Sequence, residues 1–324
     1  MSHAVRGPTT ADPDPTAATT HGSDPTAANR ADVPRGVEGA TAGPVSRMPP
    51  VRLSERRPWL RPVAVRWFRA RRYWRWLTGR QRFARRQTQD SLPVLVRRHR
   101  SLLLRQLGDA DMWLQHNKVT NLRLVAARLD GLVIAPGETF SFCHRVGRTT
   151  ARKGYVVGMF LSGGEVRPDV GGGICQAANL LHWMVLHSPL TVVERSEHSF
   201  DPFPDSGRVI PWGTGCSIFY NYVDLQVRND TAVAWQLRVQ VGDISLHGEL
   251  RAEAMPAHSY HVEARAERFE QVDGVWWRSN EIWRRVVDRR TGRQLGEELL
   301  KRNRARVMYD PTVTYPDRAP GGRR

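Results

Sequence analysis

The chain has 324 residues, 40% of them hydrophobic and 25% charged, with a formal net charge of +17 at pH 7. These fractions are close to globular averages, which excludes disorder throughout; the length allows one large domain or two small ones. Apolar runs fall far short of a transmembrane helix. No apolar segment with a small-residue cleavage site opens the chain, and Ser2 stands where myristoylation needs Gly, so neither a secretory signal nor that lipid anchor is expected. Three cysteines are too few, and odd in number, for a disulfide framework. Reduced thiols in the cytoplasm are the expectation.

Residues 1–51 are rich in Pro, Thr, Ala, Asp and Gly, repeat Asp-Pro-Thr-Ala-Ala, and lack apolar periodicity, which predicts a disordered tail. Residues 52–90 form a basic aromatic segment. Between Arg52 and Arg86 lie 13 Arg, one acid (Glu55) and the aromatics Trp59, Trp67, Phe68, Tyr73, Trp74, Trp76 and Phe83. Val63, Trp67, Ala70, Trp74 and Leu77 recur at steps of 4, 3, 4 and 3, one stripe of an amphipathic helix, with Arg66, Arg69, Arg72 and Arg80 flanking it. Such a helix suits an anionic membrane surface, at the inner face for a cytoplasmic protein. Nucleic acid competes as a partner but is disfavoured, since no helix-turn-helix, zinc-finger or ribonucleoprotein motif accompanies the charge. A third fate is a helix that packs its stripe on the main domain and solvates its arginines.

The main domain is expected over residues 91–310. Val94–Leu107 reads as a Leu- and Arg-rich helix, and Asn121–Leu129 as a second, closed by Gly131. Leu132–Ile134 is a short strand, Pro136-Gly137 a turn, and Thr139–Phe142 the start of another strand. Three glycines precede a helix that Ser188-Pro189 stops. Strands follow at Leu190–Glu194, Ser217–Arg228, Ala232–Val241, Leu246–Ala254, His258–Ala266 and Gly274–Val287, with Asp273-Gly274 as a hairpin turn. Helices early and strands late predict an α+β fold, a single main domain with a mostly antiparallel sheet. Residues 311–324 read as a loose basic tail.

One constellation could carry chemistry. Cys175 sits two residues after Gly173, near a helix N-terminus, where free N–H groups and the dipole favour a thiolate. Gln176 could donate its amide to an oxyanion. His198 follows the next strand and could serve as base to a nucleophilic Cys175. A buried, inert Cys at a tight turn is the alternative. His182 shares the helix face of Cys175 and Asn179, but it lies about 10 Å up the axis, too far for direct activation. Cys143, His144, Cys175, His198 and Cys216 are zinc-type ligands, yet no Cys-x-x-Cys or His-x-x-x-His pair occurs, so no metal is expected. No P-loop or dinucleotide fingerprint is present, so no cofactor is expected either.

Five blocks resemble the VanW family, named after an accessory protein of B-type vancomycin resistance clusters. They are Gln115-His-Asn-Lys118 with Asn121-Leu122; Pro136-Gly-Glu-Thr-Phe-Ser-Phe142; Gly171–Gln176 with Asn179-Leu-Leu181; His187-Ser-Pro-Leu-Thr-Val-Val-Glu-Arg195 with His198; and Asp224-Leu-Gln-Val-Arg-Asn-Asp-Thr231. The likeness runs over residues 92–251, more weakly to residue 309. The family has no settled reaction, but the resemblance implies weight on Cys175, Gln176 and His198. Gly215, in Trp212-Gly-Thr-Gly-Cys-Ser217, stands where many members carry Asp, so a third triad member is missing unless Asp201, Asp205 or Glu194 substitutes.

Two functions follow. One is thiol-dependent hydrolysis or transfer on an acyl or peptide substrate related to cell-wall precursors, with Cys175, His198 and Gln176 as the catalytic set. The other is a binding module in which Gly171, Gly172, Gly173, Asn179 and Arg195 hold an anionic small molecule, with the thiol dispensable. A purely structural accessory domain is the remaining alternative.

Overall fold

The computed structural model describes residues 61–105, 112–162, 165–197, 200–205 and 209–315. The expected tail over residues 1–51, the start of the basic segment, and His198 lie outside the described residues. The order of elements is α1 (Arg61–Thr78), β1 (Arg82–Phe83), β2 (Val94–Leu102), α2 (Met112–Leu129), β3 (Leu132–Ile134), β4 (Glu138–Ser141), α3 (Phe142–Val146), β5 (Val157–Ser162), β6 (Glu165–Val170), α4 (Cys175–Leu186), β7 (Thr191–Glu194), β8 (Phe200–Asp201), β9 (Gln226–Arg228), β10 (Trp235–Val241), β11 (Ser245–Ala252), β12 (His258–Val272), β13 (Val275–Asp288), β14 (Gln294–Val307) and α5 (Pro311–Thr314). The fold is α+β and its strand pairs are predominantly antiparallel.

The central sheet has the order β2-β11-β10-β3. In β11 buried and half-buried residues alternate, as a strand with one covered face requires. Helices α2 and α4 cover that face. Leu122, Val125 and Leu129 of α2 and Leu180, Leu181 and Met184 of α4 join Trp235, Leu237, Val239, Leu246 and Leu250 in one buried cluster. The approach of α4 is close: a Cβ on Gly248 of β11 would lie 2.7 Å from Met184 Cε and 2.8 Å from Leu180 Cδ2. A second sheet, β1-β4-β9-β7, adjoins the core, and β12, β13 and β14 form a long meander edged by β8. Asp273 and Gly274 both take positive φ (49° and 74°), the conformation of a type I′ hairpin turn.

Two expected elements are corrected. Val94–Leu107, read as helix, forms strand β2 at Val94–Leu102, because it completes the edge of β11, some 150 residues away in sequence. Long-range pairing overrides local propensity here. The strand expected over Ser217–Arg228 is confined to Gln226–Arg228. Before it the chain folds into a tight turn, in which Tyr222 N–H and Val223 N–H both donate to Phe219 O at 3.0 Å. Asp224 then turns inward to accept from Ser141 Oγ (2.6 Å) and Cys143 N–H (2.8 Å).

The residues after the meander begin with α5, and Tyr315 stacks on Phe269 with centroids 5.5 Å apart. Arg278 of β13 is 1% exposed. It binds Asp201, Asp205 and Glu267 and lies between the rings of Trp212 and Phe269, which ties β8 to the meander.

Helix α1 docks by an unexpected face. Arg72 forms a two-pronged ion pair with Glu194 of β7 (2.5 Å), Arg69 donates to Tyr220 O, and Trp76 packs against Phe83 and His144. The Trp67–Trp74 stripe does not pack on the domain, so that third fate is excluded by its exposure.

Candidate functional site

The glycine turn links β6 to α4. Gly171 and Gly173 take positive φ (81° and 88°), a conformation that L side chains rarely adopt. Gly172 needs its missing side chain for another reason. Its main chain presses on that of Gly158 in β5, where a Cβ on Gly158 would lie 2.6 Å from Gly172 O. Asn121 of α2, fully buried, locks the pair: its amide donates to Gly172 O (2.9 Å) and Val156 O (3.0 Å), and its carbonyl accepts from Val156 N–H (2.9 Å).

Helix α4 starts at Cys175. Gln176 N–H is taken by Gly173 O and Ala177 N–H by Ile174 O, whereas among the described residues Gly173 N–H and Ile174 N–H meet no main-chain acceptor. Burial pushes the Cys175 thiol up; hydrogen bonds from the main chain of Ile218 and of Cys175 itself oppose this in part. Cys175 is half-buried, while Cys143 and Cys216 are buried, and all three are free thiols. Burial pushes the Cys216 thiol up as well, with Cys175 as the next cause.

The other expected residues are placed as follows. The Gln176 amide donates to Leu102 O (2.7 Å) and Ser101 Oγ (2.9 Å) at the end of β2. Asn179 accepts from Cys216 N–H (2.6 Å). Arg195 donates to Gly215 O (2.9 Å) and to Gly213 O. Asn179 and Arg195 therefore grip the Gly213–Cys216 segment from two sides. At Gly215, where many members carry Asp, a Cβ would lie 3.7 Å from Asn179 Oδ1. Of the three carboxylates weighed as third triad member, Asp201 and Asp205 bind Arg278 and Glu194 binds Arg72, while His198 lies outside the described residues. Buried His182 gives its Nδ1 to Thr214 O at 2.8 Å; burial, then Arg195, pushes its pKa down to about 3.

Lys118 of α2 is the residue that sequence reasoning quoted but did not select. It is 6% exposed, and its ammonium donates to Gln115 Oε1 one turn earlier (2.6 Å). Its aliphatic chain covers Gly173, where a Cβ would lie 2.7 Å from Lys118 Cδ. Burial, and then the charge of Arg105, pushes its pKa down to about 8. Among the described residues no carboxylate pairs with it. The signal was a Lys on the same helical face as Leu114, Asn121 and Leu122, all of them core positions.

Much of the remaining resemblance is structural. Asp224 holds Ser141 and Cys143, and Asn229 donates to Ile134 O and Val233 O (2.9 Å each) and accepts from Thr231 N–H (3.0 Å). Among the described residues, no group of three or more His, Cys, Asp or Glu is placed to hold a metal ion, and no helix is long and apolar enough to cross a membrane.

The comparisons with known proteins agree with the motif blocks. A family model described as VanW like protein matches residues 117–251. The vancomycin B-type resistance protein VanW of Enterococcus faecalis is 33% identical over 221 residues, 68% of this chain and 80% of that protein. The uncharacterized protein YoaR of Bacillus subtilis is 38% identical over 96 residues, 29% of this chain and 32% of that protein. No solved structure matches the chain. The matched span contains most of α2, the glycine turn, α4 and, of the central sheet, β3, β10 and nearly all of β11, and the chain belongs to the VanW family.

Proposed function

We propose that this chain acts in glycopeptide resistance or cell-envelope metabolism, carrying over the vancomycin resistance in its Enterococcus relative's name. Its molecular task in this reading is to hold an anionic group where α4 begins. The observation that carries it is Lys118, a buried cation that no carboxylate pairs with among the described residues, laid along Gly173. An ammonium taken out of water is costly until a counter-charge arrives, and a bound anion supplies one. The N–H groups of Gly173 and Ile174 and the positive end of α4 add donors. Phosphate and carboxylate fit this donor set, and a cell-wall precursor is the substrate class we assign. A cytoplasmic location accords with the three free thiols.

Inorganic pyrophosphate is the probe. It is expected to raise the thermal midpoint of the full chain and of Cys175→Ser, but not of Lys118→Met. Equal shifts in all three would remove the reading.

The second reading is thiol chemistry on an acyl or peptide bond, with Cys175 as nucleophile and His198 as base. It is favoured by Cys175 being the one cysteine that is not fully buried. Against it stand the raised thiol and the engaged Gln176 amide.

A further inference from the structure

The face of α1 turned away from the domain is apolar. Val63, Trp67, Trp74 and Leu77 are 61%, 65%, 68% and 83% exposed. With about 100° of rotation per residue, these four and Ala70 share one arc, opposite Arg69, Arg72 and Trp76, which fasten the helix to the domain. A helix that served only to pack would bury its most apolar arc; here a mixed arc of Arg69, Arg72 and Trp76 faces the domain and the wholly apolar one is open. Arg66 borders the arc on one side and Arg71 and Arg75 on the other, all three exposed. No Asp or Glu occurs from residue 56 to residue 89.

We propose that this face of α1 docks on an anionic lipid bilayer. Trp67, Trp74, Val63 and Leu77 enter the boundary between headgroups and acyl chains, and Arg66, Arg71 and Arg75 meet the lipid phosphates on either side. Tryptophan is suited to that depth, because its ring is apolar and its N–H polar. Charge complementarity selects this partner. A second copy would bring two arginine-bordered faces together, like charge against like. A nucleic acid would satisfy the arginines but leave Val63 and Leu77 in water. The ion pair of Arg72 with Glu194 fixes α1 to the domain, so docking sets the orientation of the domain on the membrane.

The test is co-sedimentation of the full chain with vesicles of phosphatidylcholine alone or mixed with phosphatidylglycerol. Binding is expected to the mixed vesicles only. Trp67→Ala/Trp74→Ala/Leu77→Ser and, separately, Arg66→Gln/Arg71→Gln/Arg75→Gln are each expected to weaken it on the order of tenfold or more. Circular dichroism of both variants is expected to match the parent, since these side chains are exposed. The proposal is overturned by absence of binding to the mixed vesicles, or by full binding of the apolar variant. It is equally overturned by a dimer in sedimentation equilibrium that the apolar variant abolishes, or by duplex DNA displacing the parent from vesicles while the apolar variant binds the duplex unchanged.

Discussion

Lys118 lies over Gly173 so closely that a Cβ on the glycine would fall 2.7 Å from Lys118 Cδ and 2.8 Å from Lys118 Cβ. The contact lays the aliphatic stem of a buried ammonium against the turn that opens α4. The pKa of Lys118 is lowered to about 8 in the folded chain, from an ordinary value of 10.5. Below pH 8 both states carry the proton and the native state bears the full cost of the buried charge. Between pH 8 and 10.5 the unfolded chain binds more protons, so stability rises with pH. Lys118→Met is therefore expected to be more stable than the parent at pH 7, by up to ~3 kcal/mol, with the gain shrinking towards pH 10.5. Urea unfolding across that range checks it; a loss of stability at pH 7 would speak against an uncompensated charge.

The acid limb is set by histidines buried in neutral form. His182 is held down to about 3 and His187 to about 4, burial being the main cause for each. Both folded values lie below the unfolded one of 6.5, so stability is fully present above pH 6.5 and is lost as the pH falls from there towards 4 and 3. The urea midpoint is expected to drop steadily between pH 6.5 and 4. In His182→Phe the drop should be shallower, even though the variant loses the bond to Thr214 O and starts lower at pH 7.5. Parallel slopes for parent and variant would contradict the assignment.

The glycines differ in what they tolerate. A Cβ on Gly172 would overlap the main chain of Gly158, whereas one on Gly215 meets only Asn179 Oδ1 at 3.7 Å. Gly172→Ala should destabilise by about 1–3 kcal/mol, the usual range for overpacking. Gly215→Ala should stay within about 0.5 kcal/mol of the parent. Denaturant titration of the two variants separates them, and a neutral Gly172→Ala would refute the close β5–turn contact.

Helix α4 was legible because three glycines, a run of strong helix formers and Ser188-Pro189 mark both its ends. The β12–β13 hairpin was legible because Asp273-Gly274 names its turn. Strand β2 was not: its Leu and Arg residues favour helix locally, and the partner that makes it a strand lies in β11. Strand β14, Gln-Leu-Gly-Glu-Glu-Leu-Leu-Lys-Arg, shows no period of two at its start, because that part of the meander is largely exposed on both faces. At the site, the sequence located the turn and Cys175 but not the grip of Asn179 and Arg195 on the Gly213–Cys216 segment, which depends on a loop some 20 to 40 residues away.

Cys175 itself makes a kinetic prediction. A thiol pushed up by burial reacts slowly at neutral pH, since the thiolate is the nucleophile. Alkylation of Cys175, followed by peptide mass spectrometry, is expected to be slower at pH 7 than that of a free thiol and to accelerate only under alkaline conditions. His198→Ala should leave the profile unchanged. A thiolate titrating well below about 8.5, and shifting upward in His198→Ala, would instead establish the catalytic pair.

The most direct test of the anion site is a calorimetric titration with sulfate at pH values from 7 to 10, against a chloride background. Sulfate has no titrating group in that range, so any pH dependence belongs to the protein. The account predicts binding accompanied by proton uptake near pH 8, an affinity that falls as Lys118 loses its proton, and no binding by Lys118→Met. Binding that is independent of pH, or equal in parent and Lys118→Met, would contradict it.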